Sequence, residues 1–212
     1  MAYSEPARAT TRRTGIRRTR LAGLLVVIVA IAAALGHQWP GSSSSTPASP
    51  IDVLRGEHRG PLGEAGGAVP DGTTVFDGEV PGVANLRPAL LDALRRAATD
   101  AAGEGVKFVV NSGWRSPAYE DQLRREAIAK YGSEAEAARW VATGTTSPHV
   151  SGDAVDIGPA HATPWLSAHG AAYGLCQIYG NEPWHYELRP EAIADGCPRM
   201  YADPTQDPRM QQ

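Results

Sequence analysis

Apolar positions become regular from about residue 85. In "NLRPALLDALRRAATDAAGEG", Leu86, Leu90, Leu91, Leu94, Ala97, Ala98 and Ala101 recur at the spacing of one helical stripe. Pro88 suits a first helical turn, and Gly103 and Gly105 suit the stop. "VKFVVNSG" (106–113) predicts a buried strand running into a turn. "SPAYEDQLRREAIAKYG" predicts a second helix capped by Ser116, with Pro117 in its first turn. "SEAEAARWVATG" predicts a third helix capped at Ser133, and "AVDIG" (154–158) a further strand. "TPWLSAHGAAYG" predicts a short helix, "LCQIYG" and "WHYEL" strands around a turn at "GNEP", and "RPEAIADG" a final short helix. Helices and strands interleave without a βαβ rhythm, so the expected fold class is α+β, a small antiparallel sheet flanked by helices.

The chain before residue 85 is patterned differently. Residues 1–36 hold six arginines and one acid, and end in the charge-free apolar run "LAGLLVVIVAIAAALG" (21–36). Basic residues followed by such a run predict an N-terminal signal peptide or signal anchor in the cytoplasmic membrane. "GHQWPGSSSSTPASP" continues it as a Ser/Pro-rich tether over 37–50. Residues 51–84 form a Gly/Pro-rich lead-in, expected to be loosely ordered with a short strand near "TTVFDG", and the main domain spans 85–200.

Of the 212 residues, those after 36 carry 14 Lys+Arg against 22 Asp+Glu, a net charge of -8. An acidic body excludes nucleic acid as the main partner, because phosphate binding needs a basic face. In an exported protein the two cysteines, Cys176 and Cys197, favour a disulfide; two buried free thiols are the alternative. No H-E-x-x-H, S-x-x-K, G-x-S-x-G or phosphate-loop pattern occurs.

A set of metal-type ligands remains. His149 and Asp156 bracket "VSGDAV", where Gly152 permits a tight reversal into a strand. His185 follows Glu182 by three residues in "NEPWHYE". Two histidines and a carboxylate suit a catalytic zinc with one open position, and Glu182 is placed to act as base for a bound water. Asp153 reads as a loop residue or a group just outside the ligands, Trp184 as packing, and His161 and His169 as surface or helix residues. Glu187 either orients a ligand histidine or faces solvent.

"SPHVSGDAVD" resembles the S-x-H-x-x-G-x-A-x-D signature of VanY-type D-alanyl-D-alanine carboxypeptidases. "EPWH" resembles their E-x-W-H, and "SGWRS" (112–116) their S-G-[YF]-R-S. The three motifs keep order and spacing over about residues 85–190. The resemblance implies a Hedgehog/DD-peptidase-like zinc fold, with His149, Asp156 and His185 as Zn2+ ligands and Glu182 as catalytic base. Arg115 would stabilise the oxyanion, and Ser147, Gln122 and Ser112 would lie near the bound peptide. The implied activity is removal of terminal D-Ala from peptidoglycan stem peptides in the cell envelope, outside the cytoplasm, by a membrane-anchored or secreted enzyme. Endopeptidase or D-Ala-D-Ala dipeptidase action, and a non-catalytic zinc-binding module, are the alternatives.

Overall fold

The structure is a computed structural model and describes residues 63–211. The signal segment, the tether, residues 51–62 of the lead-in, His37 and His58 lie outside the described residues. Among the described residues, no helix is long and apolar enough to cross a membrane.

A short helix, α1 (Pro81–Ala84), precedes the long α2 (Pro88–Gly103) and strand β1 (Val109–Ser112). Helices α3 (Pro117–Tyr131) and α4 (Glu134–Ala137) lead to β2 (Ala154–Gly158) and α5 (Ala162–His169). Strands β3 (Leu175–Gln177) and β4 (His185–Leu188) and helix α6 (Ala192–Asp195) follow. The four strands form one antiparallel sheet in the order β1-β2-β4-β3. The expected α+β class is what the chain adopts.

One sheet face builds the core. Every residue of the predicted α2 stripe is buried, and it packs with Phe108, Val110, Val155, Ile157 and Tyr186. Leu94 is fully buried there, so truncating it to alanine would cost about 2–5 kcal/mol. The other face carries polar groups, and the register shows how. Asp156 stands opposite His185 on β4 and opposite Ser112 on β1. A bulge between Val110 and Ser112 makes this possible. Val110 pairs with Ile157 on the core face, while Ser112, two residues on, pairs with Asp156 on the polar face. Without the extra residue both would share one face.

Four expectations are corrected. No strand forms near "TTVFDG"; turns occupy that stretch, and Val110 N–H donating to Thr73 O at 2.8 Å ties its backbone to the sheet. The third helix stops after one turn, at Ala137. Beyond it, tertiary donors take the carbonyls that a longer helix would use. Asn181 donates to Arg139 O and Arg124 to Val141 O. The lead-in is not loose where it is described, because Val75 and Val83 are fully buried in the main core. Nor does the packed body end at 200: Tyr201 N–H donates to Ile178 O, and Gly180 and Asn181 N–H donate to Tyr201 O and Ala202 O. The expected disulfide is present between Cys176 on β3 and Cys197, with Cα atoms 5.5 Å apart.

Candidate metal centre and active site

Three chain segments meet on the polar face of the sheet. His149 sits in the turn 147–152, Asp156 on β2, and His185 at the start of β4. The turn closes through Val150 N–H to Ser147 O and Gly152 N–H to His149 O. Gly152 has a φ of 75°, and a side chain there would put its Cβ 2.6 Å from Asn85 O. Glycine is therefore required at this reversal.

His149 Nε2, His185 Nδ1 and Asp156 Oδ1 form a triangle with edges of 3.2, 3.2 and 3.4 Å. Ligand bonds of about 2.0 Å at tetrahedral angles give edges of about 3.3 Å, so the spacing fits a small four-coordinate cation. The protonation pattern fits as well. His149 Nδ1 donates to Gly113 O at 2.8 Å, a group that only accepts, which leaves Nε2 bare and facing the triangle. His185 Nε2 faces Glu187 Oε1 in a long 3.4 Å hydrogen bond, leaving Nδ1 for the triangle. Two ring nitrogens and a carboxylate oxygen turned on one another repel unless something positive lies between them.

The titration tendencies describe the same demand. Burial disfavours ionised Asp156, but His149, His185 and Arg115 outweigh it and hold its carboxyl far below the usual range. Burial disfavours charged His185, but Asp156 and Glu187 push its pKa up to about 10.

Glu182 lies beside the triangle, with Oε2 3.7 Å from His185 Nδ1. The turn that begins β4 places it, through His185 N–H donating to Glu182 O. Its Oε1 is buried and has no hydrogen-bond partner among the described residues. Burial first, then the negative charges of Asp156 and Glu120, raise its pKa to about 8 against the opposing pull of His185 and Arg115.

Arg115 is buried beneath the site. It donates from Nε to Ser112 Oγ, from one terminal nitrogen to Glu120 Oε2, and from the other to Asp156 Oδ2, at 2.8, 2.8 and 3.0 Å. It thus ties up one Asp156 oxygen and turns the other toward the histidines.

The structure brings together His149, Asp156, His185, Glu182, Arg115 and Ser147 around one cavity, whose wall also includes Trp140, Tyr179, Pro204 and Met210. Two expected substrate residues lie elsewhere. Ser112 is buried against Arg115, and Gln122 donates to Glu126 on the exposed side of α3. Neither lines the cavity. Asp153 forms an exposed pair with Arg87, in keeping with a loop residue. His161 and His169 are exposed, with His169 against the Trp165 ring. Glu187 does not face solvent: it is buried and faces the His185 ring. Sequence reasoning missed Glu120, which pairs with Arg115 from α3. Its position five residues after Arg115 in "RSPAYE" is a usable signal, since a capped helix directs it back toward the arginine. It also missed Tyr179, Asp207 and Arg209, for which no local motif exists.

The VanY family model, described as D-alanyl-D-alanine carboxypeptidase, matches residues 83–191. The chain belongs to this family. A D-alanyl-D-alanine carboxypeptidase of Enterococcus faecalis (strain ATCC 700802 / V583) is 32% identical over 111 residues, covering 41% of this chain and 41% of that protein. The chain thus spans about two fifths of the length of this relative. Among solved structures, the vancomycin resistance D,D-pentapeptidase VanY from a VanB-type cassette, in complex with Zn(II), is 26% identical, with a TM-score of 0.46. That match covers 49% of this chain and 72% of the other. VanYB in complex with D-alanine-D-alanine is 26% identical with a TM-score of 0.49, covering 52% and 74%. The three matching motifs, "SGWRS", "SPHVSGDAVD" and "EPWH", all fall within 83–191; Arg209 does not.

Proposed function

We propose that this VanY-family chain is an exported zinc D,D-carboxypeptidase that removes the terminal D-Ala of peptidoglycan stem peptides. The observation that carries the reading is the triangle of His149 Nε2, His185 Nδ1 and Asp156 Oδ1, with an unpartnered Glu182 oxygen beside it. Bound there, a zinc ion supplies Lewis-acid polarisation of the scissile carbonyl and a water acidified toward neutrality.

The chain's own groups do the rest. Glu182 Oε1 accepts the proton of the attacking water and passes it to the leaving amine. Its buried surroundings favour the protonated form after the first transfer, which suits it to give the proton up again. Arg115 fixes Asp156, and the two guanidinium N–H bonds not used by Ser112, Glu120 and Asp156 meet the carbonyl oxygen as it gains charge. Ser147 stands in the cavity wall, where its hydroxyl meets the peptide terminus. Trp140, Pro204 and Met210 crowd the same cavity, which favours a short terminal residue over the middle of a chain. Export is supported by the basic-then-apolar start and by the Cys176–Cys197 disulfide, a bond of oxidising compartments.

The test is D-Ala release from a stem pentapeptide by the zinc-loaded full chain and by Glu182→Gln. The parent releases D-Ala; the variant loses about a thousandfold in kcat while its zinc affinity is kept. The parent's kcat/KM falls on the acid side, because a protonated Glu182 cannot act as base. A bound cation favours its carboxylate, so the midpoint lies below about 8, and this limb disappears in the variant. Equal release by both proteins would exclude Glu182 as the base.

A further inference from the structure

The C-terminal segment after the disulfide lies outside the family match, yet it reaches Glu187, the partner of His185. Its path is fixed in steps. Cys197 is bonded to Cys176, Tyr201 bridges to Tyr179, and Asp203 pairs with Arg139 at 3.0 Å. The chain then returns toward the sheet, where Pro204 and Met210 enter the cavity wall.

Arg209 makes the decisive contact. Its two terminal nitrogens donate to Glu187 Oε2 and Oε1 at 2.7 and 3.0 Å, a bidentate pair. The guanidinium is itself held by Asp207, whose carboxylate also accepts from Tyr179 Oη at 3.0 Å. Arg189 donates to Glu187 Oε2 as well, at 2.6 Å, but only to that oxygen. Arg209 alone reaches Oε1, the oxygen that faces His185 Nε2. The plane of the Glu187 carboxylate, and hence the direction in which it receives the His185 N–H, is therefore set by a residue 22 positions further along.

We infer that Arg209 is a positioning residue of the metal centre, acting on His185 through Glu187, and that the C-terminal segment is a working part of the site. The inference rests on His185 being a metal ligand. Partners that orient a ligand histidine change metal affinity by about 10–100-fold when removed. Lysine at 209 keeps a charge near Glu187 but cannot hold both oxygens.

The experiment measures zinc affinity of the full chain by competition with a chelator, for the parent, Arg209→Ala, Arg209→Lys, Glu187→Gln and the Arg209→Ala/Glu187→Gln double variant. Expected are a 10–100-fold weaker affinity for Arg209→Ala, a smaller loss for Arg209→Lys, and a double variant no weaker than Glu187→Gln alone. That lack of additivity marks action through Glu187, which a general structural contribution would not produce. Zinc affinity equal to the parent's in Arg209→Ala overturns the inference, as do losses that simply add. If Arg209→Ala does not fold, an Arg209→Lys variant matching the parent overturns it. A parent that binds no zinc would instead overturn the proposed function, so the two failures are distinguishable.

Discussion

The two histidines of the centre are held in opposite ways. His149 is oriented by backbone: its ring donates to Gly113 O, and its own carbonyl accepts from Arg115 and Gly152 N–H. His185 is oriented by side chains: Glu187 faces its ring, Arg189 and Arg209 hold Glu187, and Asp207 holds Arg209 in turn. A backbone carbonyl cannot be mutated away, whereas every member of the second chain can. The first half of the site is therefore robust and local, and the second is tunable and distributed. Asp156 stands between them, braced by Arg115 from the segment after β1 that also carries Gly113.

This difference can be broken in graded steps. The largest effect should come from Arg115→Met, which strips the counter-charge from the buried carboxylates of Glu120 and Asp156. Leaving them uncompensated should cost about 3–5 kcal/mol in denaturant unfolding of the zinc-free protein, and both halves should loosen together. A cost below about 1 kcal/mol would mean that this arginine does not brace Asp156. Replacing Cys176 and Cys197 by alanine comes next. Opening that loop should cost about 3 kcal/mol. It should also weaken zinc binding through the His185 half alone, because the segment bearing Arg209 loses its covalent anchor. Zinc affinity unchanged in the presence of the stability loss would separate the disulfide from the metal centre.

The same contrast decides how much of the molecule is legible in the chain. The α2 stripe, the Ser116 cap and the Gly152 reversal follow from local spacing, and they fall where the pattern puts them. The proposed ligand set and Glu182 are local too, since two short motifs carry all four residues. The bulge that turns Ser112 to the site is not legible, because alternation in "VKFVVNSG" gives no sign of an extra residue. The early stop of the third helix was hidden for the same reason: the donors to Arg139 O and Val141 O come from Asn181 and Arg124. Glu187 looked ambiguous because its partners Arg189 and Arg209 lie 2 and 22 residues away, and only folding brings the second to it. Side-chain scaffolds built from distant residues leave no periodicity behind.

The central claim is that three named atoms share one cation. Its most direct test is anomalous scattering at the zinc edge from crystals of the zinc-loaded full chain. The account predicts one strong peak per chain, about 2.0–2.2 Å from His149 Nε2, His185 Nδ1 and Asp156 Oδ1, with Glu182 outside bonding distance. A peak bound through His149 Nδ1, a peak away from these residues, or no peak at full zinc loading would contradict it.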